Sequence, residues 1–258
     1  MAIEVFNRYE HKYILDSETF KRASEVINRH METDPYNKGG ERYTISNLYY
    51  DTYDDRLIRT SLSSPVYKEK LRLRAYGVPD ADSRVFLEIK KKFSGLVNKR
   101  RTALTLSEAY RFAETGEKPQ LLPYMNEQVI NEISYFLSAD ALMPKLYLAY
   151  DRLAFFEKNN DGLRVSFDTN IRSRRHTLRL EAGDSGEPLL EDGTWLMEVK
   201  TLTAKPLWFV HMLTELDIKR QNFSKYGTEY KKRQRSGENR LLQEYGARSR
   251  IVLRPCGA

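Results

Sequence analysis

The chain has 258 residues, and its 43 lysines and arginines against 36 aspartates and glutamates give a formal charge of +7. This length is enough for one or two domains with a sizeable core. The single cysteine, Cys256, excludes a disulfide framework and a cysteine-rich zinc site. Neither a membrane-spanning apolar run nor a signal peptide is visible, so we expect a cytoplasmic protein.

Two hydrophobic periodicities alternate along the chain, and together they predict an α+β protein with antiparallel strands. The period-two pattern predicts about eight strands, at 7–15, 43–52, 68–76, 84–92, 98–105, 145–157, 163–169 and 194–201, with a further short strand at 175–181. Helical spacing is found at 17–31, 54–63, 125–138, 207–218 and 227–243. We predict a single domain over 1–243, a helical insertion at about 106–140, and a flexible tail at 244–258.

Charged and apolar side chains alternate along nearly every predicted strand. In the strand at 68–76, for example, Lys70, Arg72 and Arg74 share one face, and Leu71 and Leu73 share the other. A half-solvated antiparallel sheet is the commonest cause of such a pattern. Here, however, the charged faces are strongly biased toward bases. The bases are Arg8, Lys12, Lys70, Arg72, Arg74, Lys90, Lys92, Lys99, Arg101, Arg152, Arg164 and Lys200, and the acids are Glu10, Glu88, Asp168 and Glu198.

A closed sheet of about eight strands would enclose these charges in a lumen. Cations that face one another there repel and lose hydration, unless the lumen is wet and holds a dense anion. A phosphate chain fits, because arginine binds its oxygens bidentately and lysine acts as a point charge. Nucleic acid is disfavoured, because its binding grooves usually expose aromatic rings for stacking, and here most aromatics fall on the opposite faces.

The acids are the informative minority on this face. A Glu-x-Lys pattern occurs on three predicted strands, as Glu10/Lys12, Glu88/Lys90 and Glu198/Lys200. Such a glutamate either pairs with its lysine or binds a divalent metal, since Mg²⁺ and Mn²⁺ take carboxylates together with phosphate oxygens. We predict Glu198 as the first metal ligand and Glu10 as the second. For Glu88 both interpretations remain open.

Nine short motifs follow one another between residue 8 and about residue 230. They are Arg8-x-Glu10-x-Lys12-Tyr13, YYDT at 49–52, Arg72-x-Arg74, FLEIKKK at 86–92, Lys99-Arg100-Arg101, Tyr150-x-Arg152, Arg164-x-Ser166-x-Asp168, MEVK at 197–200 and Phe223-Ser224-Lys225-Tyr226. In this order they resemble the triphosphate tunnel metalloenzyme superfamily, and within it the VTC-type polyphosphate polymerase domain.

The resemblance implies an eight-stranded antiparallel β tunnel, closed as a barrel and surrounded by helices. It implies transfer of the γ-phosphate of ATP to a growing inorganic polyphosphate chain, with Mn²⁺ or Mg²⁺ as cofactor. We predict that catalysis depends on charge stabilisation by Arg72, Arg74, Lys90, Arg152 and Arg164. The predicted substrate-binding residues are Arg8, Lys12, Lys92, Lys99, Arg101, Lys200, Ser224 and Lys225, and the predicted metal ligands are Glu198, Glu10 and Glu88.

Two departures from the family pattern bear on the reaction. Arg8 stands where hydrolytic and cyclase relatives usually have the first glutamate of an E-x-E-x-K motif, which favours polymer binding. Asn222 stands where a second base is expected before Phe223. Two alternatives remain open: a triphosphate or nucleotide hydrolase or cyclase on the same tunnel, and a non-catalytic module that binds polyphosphate, inositol phosphates or RNA.

Overall fold

The computed structural model describes residues 9–94, 96–158, 162–202 and 204–237, so Arg8 and the predicted tail lie outside the described residues. The strands are β1 Tyr9–Leu15, β2 Met31–Thr33, β3 Tyr43–Thr52, β4 Tyr67–Tyr76, β5 Arg84–Phe93, β6 Leu96–Thr105, β7 Leu142–Glu157, β8 Leu163–Arg174, β9 Glu187–Pro188 and β10 Trp195–Thr201. The helices are α1 Ser17–His30, α2 Arg56–Leu62, α3 Leu106–Thr115, α4 Glu127–Ala139, α5 Leu207–Glu215 and α6 Lys225–Arg235.

Within the described residues, ten strands form one antiparallel sheet. Eight of them follow the order β1-β10-β8-β7-β3-β4-β5-β6, while β2 pairs with β7 and β9 pairs with β8. The predicted closed barrel of eight strands is therefore wrong in strand number. It is also wrong in closure, because β1 and β6, which end this order, do not pair with each other in the described part of the chain. The α+β class and the antiparallel pairing are confirmed.

The sheet is nevertheless strongly curled. The Glu10 carboxylate on β1 lies 3.9 Å from the Lys90 ammonium on β5, although β1 and β5 are six places apart in the strand order. Six spacings in a flat sheet would separate them by about 29 Å. The charged sides of the strands therefore line the inside of the curl, which we call the concave face.

The apolar sides of the strands point outward and are covered by helices. Phe112 of α3 and Ile133 of α4 pack with Leu87 and Leu104 of β5 and β6, and all four are fully buried. A second cluster joins α1 and α5 to β1, β8 and β10. Helices α3 and α4 lie inside the predicted helical insertion. The predicted strand at 175–181 is wrong, because β8 continues to Arg174 and the chain then turns.

No helix in the described ranges combines the length and the apolar character that crossing a membrane requires.

Asp51 connects the sheet to two helices. Its carboxylate, fully buried at the end of β3, accepts hydrogen bonds from the backbone N–H groups of Thr52, Leu57 and Ile58 and from the Tyr226 hydroxyl on α6. It thereby satisfies donors at the start of α2, which are otherwise left without an intrahelical partner. These hydrogen bonds explain the aspartate of the YYDT motif, and the one from Tyr226 holds α6 against the sheet.

We expect Asp51→Asn to lower the free energy of unfolding by about 1–3 kcal/mol, because the amide NH₂ presents donors to groups that are themselves donors. Urea denaturation measures the loss. Asp54→Asn is the matched control, since Asp54 lies three residues away with an exposed side chain. Equal stability of the two variants would contradict this role for Asp51.

Candidate functional site

A buried group of two carboxylates and two cations lies at the centre of the concave face. Arg152 donates to both oxygens of Asp168, at 2.6 and 2.8 Å. Lys225 donates to Asp168 at 2.6 Å and to Glu198 at 3.0 Å. The four charges balance, so this group is an internally neutralised network that holds Arg152 and Lys225 in fixed positions.

Strand register brings these residues together. Arg152 lies opposite Asp168 in the β7–β8 pair, and Lys12 lies opposite Glu198 in the β1–β10 pair. Lys225 enters from outside the sheet as the first residue of α6. The preceding residue, Ser224, caps this helix by accepting a hydrogen bond from the Gly227 N–H, so its hydroxyl positions Lys225.

Both carboxylates of this network are ionised. Burial alone would raise the pKa of Glu198, but Lys225, Lys12 and Arg152 outweigh it and hold that pKa well below its usual range. Burial likewise opposes ionisation of Asp168, while Arg152 and Lys225 lower its pKa.

A second network surrounds Glu88 on β5. The Arg72 guanidinium donates to this carboxylate at 2.7 Å, the Lys99 ammonium lies at 2.6 Å, and Arg74 lies at 3.8 Å. Burial opposes ionisation, but these three cations keep the pKa of Glu88 well below its usual range. Glu88 is only 1% exposed and is surrounded by cations, which favours the ion-pair interpretation over a metal ligand.

Neutral acceptors orient the two arginines of β4. Arg74 donates to the Asn47 side-chain oxygen at 3.0 Å and to the Tyr150 hydroxyl at 3.1 Å. Arg72 donates to the Tyr49 hydroxyl at 3.1 Å. Each guanidinium carries five N–H donors, so such contacts fix its plane and leave donors for a ligand.

Glu10 lies among the lysines of the concave face. The Lys12 ammonium is 3.3 Å from Glu10 and 3.4 Å from Glu198, so it bridges the two carboxylates. Burial raises the pKa of Glu10, but Lys90, Lys12 and Lys200 together bring it down to about 2. Burial lowers the pKa of Lys200 to about 8, and Glu10 and Glu198 only partly offset this effect.

Lys70 faces no carboxylate within ion-pair distance among the described residues. Its ammonium lies 5.8 Å from the centre of the Tyr226 ring. Burial, together with the charges of Lys90, Lys68, Lys12 and Arg72, lowers the pKa of Lys70 to about 7. The concave face therefore holds a cation that the protein itself does not neutralise.

The remaining predicted residues lie toward the edges of this face. Arg164 lies 3.3 Å from Asp34, next to the Phe156 ring. Lys92 lies opposite Lys68 in the β4–β5 pair. Arg101 is exposed and lies 4.4 Å from the centre of the Phe86 ring.

Four residues that contribute to the charged networks of the concave face were not predicted as site residues. They are Asp168, Lys70, Tyr49 and Tyr150. Asp168 and Lys70 belong to the same charged alternation as their neighbours, so the signal was present. Tyr49 and Tyr150 stand in two of the nine motifs, but the alternation of side chains does not mark their hydroxyls as partners of Arg72 and Arg74.

The carboxylates of the concave face are also the candidate ligands for a metal ion. Within the described ranges, no group of three or more histidine, cysteine, aspartate or glutamate side chains could hold a metal ion on its own. Glu10 and Glu198 are nevertheless close enough to share Lys12. One or two carboxylates completed by substrate oxygens are a usual Mg²⁺ environment, so Glu10 fits a divalent ion that arrives with its phosphate ligand. Both oxygens of Glu198 are contacted by cations, Lys225 and Lys12 on one and Arg152 on the other, so Glu198 would join Glu10 only where the ion displaces Lys12.

Comparison with known proteins agrees with this architecture. Among solved structures, a candidate adenylate cyclase from Bacillus halodurans is 17% identical, covers 86% of this chain and 96% of its own, and superposes with a TM-score of 0.52. A candidate adenylyl cyclase from Hippeastrum, described as having a dominant triphosphatase activity, is 16% identical, with 88% and 95% covered and a TM-score of 0.45.

The fold of this chain is similar to that of the Bacillus halodurans structure. A family model for the VTC domain matches residues 7–233, and the chain belongs to this family. A comparison with curated proteins gives no match. The similarity to the solved structures concerns the fold alone at these identities.

We expect Lys70→Met to raise the Tm by about 2–4 °C at pH 6 in the absence of anions, because it removes an unneutralised cation. Since the pKa of Lys70 lies near 7 in the folded protein and near 10.5 when unfolded, the destabilisation is complete below pH 7 and is relieved as the pH rises above 7. The gain should therefore shrink by pH 9 in differential scanning fluorimetry.

Lys21→Met on the exposed side of α1 is the control and should give no pH-dependent gain. A Lys70→Met effect that is zero, or equal at both pH values, would contradict the proposed electrostatic cost.

Proposed function

We propose that this protein is a polyphosphate polymerase, which transfers the γ-phosphate of ATP to a growing inorganic polyphosphate chain in a metal-dependent reaction. The observation that carries the proposal is the excess of cations on the concave face after its carboxylates have been paired. Lys70 is the clearest case. Such an excess costs stability in the free protein, and a polyanion on the face would offset that cost.

The spacing of the cations favours an extended anion over a compact one. Lys70, Arg72 and Arg74 recur at every second residue of β4, which separates neighbours by roughly 6.6 Å along the strand. Lys90 and Lys92 on β5 lie directly opposite Lys70 and Lys68, so they add positive charge beside one end of this row. A linear phosphate chain has charge at every unit and meets these cations along its length, whereas a single triphosphate engages only part of them.

The reaction requires alignment and charge stabilisation more than covalent chemistry. Arg72, Arg74, Lys90, Arg152 and Arg164 would bind the phosphoryl oxygens on which charge shifts during transfer. The attacking group, a terminal oxygen of the polyphosphate chain, is already anionic, so the site needs no strong general base.

Glu10 and Glu198 are the proposed holders of Mg²⁺ or Mn²⁺. When bound, such an ion neutralises charge on the phosphate oxygens and aligns donor with acceptor. Glu88, enclosed by Arg72, Arg74 and Lys99, is assigned instead to orienting these cations.

The same face can support two other functions. A hydrolase would use water as acceptor, and the pair of neighbouring carboxylates Glu10 and Glu198 favours metal-dependent chemistry of this kind as well. A non-catalytic module would bind polyphosphate without turnover. A carboxylate kept beside the anion disfavours this last function, since without a metal it only weakens anion binding.

The test is a gel assay with purified protein, ATP and Mn²⁺, with and without a short polyphosphate primer. We expect a ladder of long polyphosphate and a matching amount of ADP. Glu198→Gln should lower the rate by at least about 100-fold, the scale of one lost electrostatic contact in a transition state. Glu69→Gln on the outward side of β4 should leave the rate unchanged.

Binding of long-chain polyphosphate to Glu198→Gln is the second readout and should be as tight as in the wild type or tighter, because a negative charge has been removed. Orthophosphate without a ladder would indicate the hydrolase. Tight polyphosphate binding without any turnover of ATP or triphosphate would indicate the binding module.

A further inference from the structure

Three tyrosines form a partly exposed aromatic cluster at one end of the concave face. The rings of Tyr36 and Tyr76 stack with centres 5.7 Å apart and planes 11° apart, and Tyr43 lies about equally close to both, at 6.1 and 6.0 Å. Tyr36 is 71% exposed and Tyr76 is 41% exposed. An exposed group of flat rings of this kind indicates a surface that binds a further aromatic or apolar group.

The cluster continues directly into the phosphate-binding cations. Tyr43 lies opposite Arg152 in the β3–β7 pair. Tyr76 is on the same side of β4 as Arg72 and Arg74, by strand alternation. Burial raises the pKa of Tyr43 to about 12, and Arg152, Asp34 and Arg164 are the nearest charges that act on it. The rings and the arginines are therefore parts of one surface.

The two ends of this surface differ in chemistry. Tyr76 stands at the last position of β4, whereas Lys68 and Lys70 stand near its first. Eight residues of strand between Lys68 and Tyr76 correspond to roughly 26 Å. A phosphate chain gains nothing from stacked rings, but a ligand that joins a flat ring to a phosphate chain matches the aromatic end and the adjoining arginines together.

We propose that Tyr36, Tyr43 and Tyr76 form the stacking platform for the nucleobase of a nucleoside triphosphate, whose phosphates extend from there onto Arg152 and Arg164. This assignment rests on the proposed function in one respect, namely that the phosphate donor is a nucleotide. It also sets a direction: the nucleotide occupies the aromatic end, and the polyphosphate chain occupies the lysine end.

The platform is tested by calorimetric titration of the full chain with ATP and, separately, with tripolyphosphate, which has the phosphates but no base. Stacking of one base contributes about 1–3 kcal/mol, so Tyr36→Ala and Tyr76→Ala should each weaken ATP binding by about 5- to 150-fold. Tripolyphosphate binding should change by less than twofold. Tyr36→Phe, which keeps the ring, should bind ATP as the wild type does.

Tyr135→Ala controls for loss of an exposed tyrosine, since Tyr135 on α4 is 78% exposed and lies in a different part of the fold. Unchanged ATP affinity in both platform variants would overturn the proposal, and so would an equal loss for ATP and tripolyphosphate. The result is separable from the polymerase test. Selective loss of ATP binding supports the stacking platform even if no polymer forms. Conversely, if polyphosphate is made and Tyr36→Ala leaves the KM for ATP unchanged, the proposed activity stands and the platform does not.

Discussion

The structure depends on one electrostatic constraint, which is the burial of more positive than negative charge on a single curled surface. The alternation of each strand places leucines and valines outward beneath the helices, and this forces the lysines and arginines inward. Glu88 and the pair Asp168–Glu198 offset part of that charge by direct contact. Lys70 is not offset by any carboxylate within ion-pair distance in the described part of the chain, and its cost to folding is the physical reason to expect a polyanion at this surface.

The rest of the fold serves to hold these charges in register. Antiparallel pairing sets Arg152 against Asp168 and Lys12 against Glu198 without any contribution from loops. Lys225 comes from a helix, and its position depends on the Ser224 cap and on the Tyr226 hydroxyl bound to Asp51. Asp51, which does not itself contact Lys225, therefore helps to determine where this central cation lies.

Much of this surface could be predicted from the sequence, because a period of two assigns each charged residue to a face without knowledge of the strand order. Ring positions such as Tyr43 and Tyr76 were missed, since the general trend placed aromatics on the outward faces. The number of strands was predicted wrongly because β2 and β9 are too short to show periodicity. The prediction of a closed barrel was wrong because pairing between β1 and β6 depends on sheet twist and backbone hydrogen bonds, which the pattern of side chains does not indicate.

A crystal structure of the protein with Mn²⁺ and tripolyphosphate tests most directly whether the concave face binds phosphate chains. We expect phosphate oxygens on the concave face, within hydrogen-bonding distance of Arg72, Arg74 and Arg152. A second basic surface lies outside this face, in a pocket whose lining includes Arg175 and Lys232. Tripolyphosphate bound in that pocket, with none on the concave face, would contradict the assignment of the concave face as the phosphate-binding surface.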